Sequence, residues 1–161
     1  TYSGLASAFS EYGGSGCTLG LIIAMLIFCK SKETKSIAKL SLAPGIFNIN
    51  EMVIFGLPIV LNPIYIIPFI LAPFVNIMIG YIAVMVLKIM PPVVIGIPWT
   101  TPGPLMPFLG TGGNITALIV GFICLAVSVL IYAPFVIAAN KAEMVEEESQ
   151  NGIKLEEEIA K

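Results

Sequence analysis

Residues 115–139 read ITALIVGFICLAVSVLIYAPFVIAA, a run of 25 residues without a charged side chain. A helix of that length rises about 37 Å, whereas the hydrocarbon core of a bilayer is about 30 Å thick. Lys141 follows the run and marks the point at which the chain becomes polar. The stretch therefore predicts a helix that crosses a membrane completely.

The rest of the 161-residue chain is nearly as apolar. Hydrophobic residues make up 57% and charged residues 11%, with a mean hydropathy of +0.97, whereas soluble domains are about a quarter charged. Between Leu40 and Asn140, only Glu51 and Lys88 carry a charge, so this stretch cannot form a water-soluble surface. The composition indicates an integral membrane protein. A net charge of −2 without arginine excludes a basic surface for nucleic acid.

Metal and cofactor sites are not predicted. The chain has no histidine, which excludes zinc, haem and triad sites that depend on one. Cys17, Cys29 and Cys124 lie in separate apolar segments and are interpreted as small hydrophobic residues.

Residues 1–40 are interpreted as a transmembrane helix followed by a basic loop. The helix is the uncharged run Tyr12–Cys29, whose glycine-rich start indicates close helix packing or a non-helical approach to a ligand. Four lysines between Lys30 and Lys39, against Glu33 alone, give the following segment a charge of +3. The positive-inside rule predicts that this loop is cytoplasmic.

Residues 41–63 are predicted to form a re-entrant hairpin. The polar group at Asn48, Asn50 and Glu51 comes only nine residues after Lys39, and prolines interrupt the apolar sequence around it. Such a backbone is tolerated at membrane depth where it is buried in protein or lines a cavity. We expect the hairpin to enter from the cytoplasm and to turn at Asn48–Glu51.

Residues 64–140 predict two further crossings, Ile64–Met90 and Ile115–Ala139, joined by an irregular external segment rich in proline and glycine. Residues 141–161 predict an acidic cytoplasmic tail, partly helical and broken at Gly152. The fold class is therefore all-α integral membrane, with about three transmembrane helices and one re-entrant hairpin. Since the first residue is Thr1, we expect the chain to be part of a larger polytopic transporter.

Glu51 is the strongest candidate for a functional residue. A charge at mid-bilayer costs about 2.5–3.5 kcal/mol and usually faces an aqueous cavity or a transport path. A carboxylate beside the amides of Asn48 and Asn50 is suited to binding sugar hydroxyls. The alternative is a Glu51 that only solvates an interfacial loop. Trp99 has two equally supported interpretations: its ring stacks on a sugar, or it anchors the chain at the membrane interface.

Residues 42–63, LAPGIFNINEMVIFGLPIVLNP, resemble the IIC membrane component of bacterial phosphotransferase systems, in the lactose/cellobiose/chitobiose branch. Three shorter motifs occur in the order of that family: GGSGCTLG at 13–20, PWTTP at 98–102 and GTGGN at 110–114. The resemblance covers most of residues 10–140. It corresponds to the C-terminal part of a permease with about ten helices that dimerises through its N-terminal half.

The resemblance implies a sugar-binding and translocating subunit in the bacterial inner (cell) membrane. A IIB phosphocysteine protein would phosphorylate the 6-hydroxyl of a β-disaccharide such as cellobiose, chitobiose or lactose. Asn50 and Glu51 would belong to the sugar site, with Glu51 as the general base, and Trp99 would stack on the sugar. The chain itself carries no phosphocysteine loop and is not the phosphoryl carrier.

Two features depart from the family pattern. Met52 stands where the family usually has proline after Asn-Glu, and the histidine of the family's sugar site is absent. Two alternatives stay open: a proton-coupled secondary sugar transporter in which Glu51 carries the proton, and a truncated fragment that does not transport.

Overall fold

The computed structural model of the chain describes residues 2–159 and the side chains of residues 4–154. Its α-helices are α1 (Tyr2–Ser10), α2 (Thr18–Phe28), α3 (Lys32–Ile46), α4 (Glu51–Gly56), α5 (Pro63–Tyr81), α6 (Leu105–Gly110) and α7 (Ile115–Ile159). No strand occurs between residues 2 and 159. Three stretches are long and apolar enough to cross a membrane, namely Gly4–Phe28, Pro63–Val86 and Ile115–Lys154. The predicted all-α membrane fold with about three spans is confirmed.

The first crossing is a broken helix, in which residues 11–17 separate α1 from α2. Gly13, Gly14 and Gly16 in this break have φ angles of 82°, 87° and 78°, which glycine adopts without a steric penalty. The helical stretch thus starts before the predicted run Tyr12–Cys29 and is interrupted at its glycine-rich start. A Cβ atom on Gly14 would lie 2.8 Å from the side-chain amide of Asn50, so the hairpin tip occupies the space beside the break.

The hairpin consists of α3, a short tip and α4. Helix α3 begins at Lys32, so the expectation of a loop through Lys39 is wrong. Its buried residues are spaced by three or four positions, as on one face of a helix: Thr34, Ala38, Ser41 and Gly45. This face packs against α2. The tertiary contact thus makes helical a segment whose charges had indicated a loop.

The segment between α5 and α7 folds back against the helices. After α5 the chain forms a π-helical turn at Ile82–Val86 and continues irregularly to α6. A Cβ atom on Gly121, almost two turns into α7, would lie only 2.7 Å from the carbonyl oxygen of Pro104. The segment is irregular as predicted; it packs along α7 and, as described below, reaches the hairpin tip.

Helix α7 is continuous for 45 residues, which corresponds to about 67 Å. The acidic tail is therefore helical through Gly152, and the expected break at this residue is wrong. A glycine in a helix interior costs about 1 kcal/mol relative to alanine but removes no backbone hydrogen bond.

Asn140 joins the start of the tail to the lysine-rich segment. Its Nδ2 donates to the carbonyl oxygen of Phe28 at 2.9 Å, and its Oδ1 accepts from the backbone nitrogen of Lys30 at 3.4 Å. One turn further along α7, the hydroxyl of Thr34 lies 3.5 Å from a carboxylate oxygen of Glu143. The basic segment and the acidic tail thus start at the same end of the molecule.

This arrangement predicts that a cysteine at Lys35 and one at Glu147 are both labelled from the cytoplasmic side. Lys35→Cys and Glu147→Cys would be made separately in a complete protein that contains this sequence. A membrane-impermeant maleimide would then be applied to intact cells and to inverted vesicles. The three cysteines of this chain are buried, and the complete protein with any other cysteines replaced is the control. Labelling of the two positions from opposite faces would contradict the topology.

Candidate functional site

Asn48 connects three parts of the chain at the hairpin tip. The backbone nitrogen of Gly13 donates to its Oδ1 at 2.8 Å, while its Nδ2 donates to the carbonyl oxygens of Trp99 at 2.6 Å and Thr101 at 2.8 Å. The residue is 6% exposed and has a φ angle of 64°, which asparagine tolerates better than most residues. Through this side chain the hairpin tip, the broken helix and the segment after α5 meet at one place.

Asn50 makes a second connection between the tip and the break. Its Nδ2 donates to the carbonyl oxygen of Ser15 at 3.0 Å. Its backbone carbonyl oxygen accepts from the nitrogens of Val53 and Ile54, which starts α4 directly after it. Asn50 is buried, so the amide holds the start of α4 against the broken helix.

Glu51 is the first residue of α4, and its side chain is exposed. Within residues 4–154, its carboxylate takes part in no hydrogen bond or ion pair. Lys88, the other internal charge, follows the π-helical turn at the far end of α5. The neighbouring side chains of Met52 and Phe55 are exposed as well, Phe55 by 79%. This face of the hairpin therefore presents a carboxylate surrounded by apolar side chains.

Trp99 is held by a hydrogen bond to its backbone, whereas its ring is exposed. Asn48 holds its carbonyl oxygen, whereas its side chain is 62% exposed and lines a cavity of about 450 Å³. The four residues predicted for the site, Asn48, Asn50, Glu51 and Trp99, are thus assembled around one hairpin tip. Asn48 and Asn50 use their amides within the chain, while the carboxylate of Glu51 and the ring of Trp99 are left available.

The broken helix is held by polar residues that sequence reasoning missed. The hydroxyl of Tyr132 donates to the carbonyl oxygen of Gly16 at 2.6 Å. Nδ2 of Asn76 lies 2.8 Å from the hydroxyl oxygen of Ser128 and 3.3 Å from the sulfur of Cys17. The signal in the sequence was a polar side chain inside each of two apolar spans. In a bilayer such groups need protein partners, and here they compensate for the interrupted helix.

Within the part of the chain that the structure describes, no three cysteine or acidic side chains lie close enough together to hold a metal ion. The chemistry that the site can perform is hydrogen bonding and proton acceptance by a carboxylate next to an aromatic surface.

Comparison with known proteins identifies the family. Residues 7–73 match the family model described as "Phosphotransferase system, EIIC". The chain is also 48% identical, over 139 residues, to the cellobiose-specific EIIC component of the phosphotransferase system of Lactococcus lactis. The chain belongs to the phosphotransferase-system EIIC family. EIIC proteins are integral permeases of the bacterial inner membrane, in agreement with the three apolar spans of this EIIC chain.

Other EIIC relatives give the same result. The chain is 41% identical to the lichenan permease IIC component of Bacillus subtilis and 38% identical to the lactose-specific EIICB component of Staphylococcus aureus. Among solved structures, the chitobiose transporter ChbC, the IIC component of an N,N'-diacetylchitobiose-specific phosphotransferase system, matches with a TM-score of 0.81 and 42% identity over 88% of the chain. The chain spans 28% of the Lactococcus lactis relative and 33% of the ChbC chain.

Proposed function

We propose that this chain forms the C-terminal, sugar-binding part of an EIIC permease that translocates a β-disaccharide and presents it for 6-phosphorylation by a IIB phosphocysteine protein. The observation that carries the proposal is the convergence at Asn48, which leaves the carboxylate of Glu51 and the ring of Trp99 free beside it. Three relatives bear the names of cellobiose, lactose and N,N'-diacetylchitobiose, and all three sugars are β-linked disaccharides.

Glu51 acts as the general base in this proposal. The oxygen of the sugar 6-hydroxyl attacks the phosphorus of the partner's phosphocysteine, the new O–P bond replaces the S–P bond, and the thiolate leaves on the partner. The hydroxyl proton passes to the carboxylate of Glu51. Because phosphoryl transfer depends mainly on positioning and electrostatics, a carboxylate that orients the hydroxyl contributes before it accepts the proton.

Asn48 and Asn50 contribute by holding the tip. Their donors are used on backbone carbonyls of Trp99, Thr101 and Ser15, so a sugar would meet Glu51 on a support that is already ordered. Trp99 offers the apolar surface on which the C–H face of a sugar ring stacks.

The exposed apolar face around Phe55 suits contact with other parts of a permease. We extend the proposal to a homodimer, which would form through the N-terminal half of such a protein.

Trp99→Ala is expected to weaken sugar binding about fivefold or more in a complete EIIC permease that contains this sequence, because ring stacking contributes about 1 kcal/mol. Trp99→Phe should keep part of the affinity. The measurement is calorimetric titration of cellobiose in detergent, with folding checked by size-exclusion chromatography. Equal affinities of the alanine variant and the unsubstituted protein would make Trp99 an interface anchor.

The source of energy separates this proposal from proton-coupled transport. In vesicles, phosphorylated cellobiose should form only when a phosphorylated IIB protein is supplied. Uptake of unmodified cellobiose driven by a pH gradient, without the IIB protein, would support the secondary transporter instead. A complete protein that shows neither activity would contradict both.

A further inference from the structure

Besides Glu51 of the hairpin, a carboxylate lies within the first stretch that could cross a membrane. Glu11 is the one charged residue of the stretch Gly4–Phe28, and it follows α1 at the start of the break. Its backbone carbonyl oxygen accepts from the nitrogen of Gly14 at 3.1 Å, which fixes the residue at the break. Within residues 4–154 no lysine forms an ion pair with it. A charge in such a position usually faces an aqueous cavity or marks a transport path.

Glu11 does face a cavity. The cavity has a volume of about 450 Å³, within the range of small-molecule sites. Ser7, Ala8 and Glu11 line one side, and residues 93–97 with Trp99 line the other. The second wall is apolar except for its backbone, so the carboxylate of Glu11 is the charged group of the lining.

The cavity continues from the site at the hairpin tip. Trp99 belongs to both, since it lines the cavity while its carbonyl oxygen accepts a hydrogen bond from Asn48 of the tip. Glu51 does not line the cavity. A ligand that contacts Glu51 and extends past Trp99 would therefore place its next part in the cavity.

We propose that Glu11 binds the second ring of a disaccharide whose first ring lies at Glu51, and that it thereby determines selectivity for disaccharides over monosaccharides. This inference rests on the proposed function. The carboxylate oxygens accept hydrogen bonds from the hydroxyls of the second ring, and the apolar wall at residues 93–97 packs against its C–H groups. The cavity thus offers a charged group to the polar edge of a sugar ring and an apolar surface to its C–H face.

The test compares cellobiose with glucose as ligands of the complete permease. Glu11→Gln should lower the affinity for cellobiose by about tenfold or more, as expected when hydrogen bonds to a charged group are lost, while glucose affinity stays within about twofold. Ser7→Phe fills the cavity from an exposed position and should have the same selective effect. Glu33→Gln and Ser36→Phe, exposed changes on α3 outside the cavity, are the matched controls.

The outcomes separate the two proposals. If Glu51→Gln weakens binding of both sugars but Glu11→Gln and Ser7→Phe weaken neither, the second-ring assignment is wrong and the proposed function stands. Equal losses for cellobiose and glucose in the Glu11 variant would also overturn the assignment. If the unsubstituted protein binds neither sugar, the proposed function fails and this inference fails with it. Ser7→Phe keeps the test decisive should Glu11→Gln not fold.

Discussion

Glu51→Gln is expected to reduce IIB-dependent phosphorylation of cellobiose by at least about a hundredfold in the complete permease, the range over which a general base acts. Glutamine keeps the shape of the side chain and part of its hydrogen bonding, but it cannot accept the proton of the 6-hydroxyl. Sugar affinity should fall by a smaller factor, because the amide still reaches the hydroxyl. The effect should therefore be larger on the phosphorylation rate than on binding.

The measurement combines sugar affinity in detergent with phosphosugar formation in vesicles. Glu51→Asp should be intermediate, since the shorter carboxylate is still basic but reaches less far. Glu33→Gln removes an exposed carboxylate from α3 and controls for the change in net charge. A folded Glu51→Gln protein that phosphorylates cellobiose at the original rate would show that Glu51 only solvates its surroundings.

The second large effect is expected at Asn48. Asn48→Gly keeps a residue that accepts a φ angle of 64°, so it removes the side-chain hydrogen bonds without adding backbone strain. Three bonds to Gly13, Trp99 and Thr101 are lost. At about 0.6–1 kcal/mol each, they amount to about 2 kcal/mol of unfolding free energy. We also expect at least a tenfold loss of sugar affinity, because the segments that carry Glu51 and Trp99 are no longer joined.

Thermal unfolding and cellobiose titration on the same preparation test this result. Asn114→Ala is the matched control, because it removes an amide whose oxygen accepts from the nitrogen of Ala117 in the first turn of α7. Its expected cost is about 1 kcal/mol of stability, with sugar affinity unchanged. Should Asn48→Gly bind cellobiose as tightly as the unsubstituted protein, the three-way connection is not needed for the site.

The sequence predicted the membrane class, about three crossings and the residues of the hairpin tip, because each of these depends on local composition. An uncharged run such as residues 115–139 has few alternatives to a membrane helix. Glu51, with asparagines beside it, is an acid isolated in apolar sequence. Because the free energy of placing such a charge in a membrane is high, it indicates a functional site. The glycines at positions 13, 14 and 16 likewise indicated close helix packing or a non-helical backbone.

The tertiary structure alone decided how these pieces meet. The bonds from Asn48 to Gly13 and to Trp99 join residues 35 and 51 positions apart, and no hydropathy pattern encodes such a pairing. Glu11 lies just before the uncharged run that starts at Tyr12, and only the course of the first crossing in the structure puts it inside a stretch long enough to span a membrane. The segment after α5 was predicted to be irregular because it is rich in proline and glycine. Its return to the tip depends on hydrogen bonds that form only once the other helices are packed.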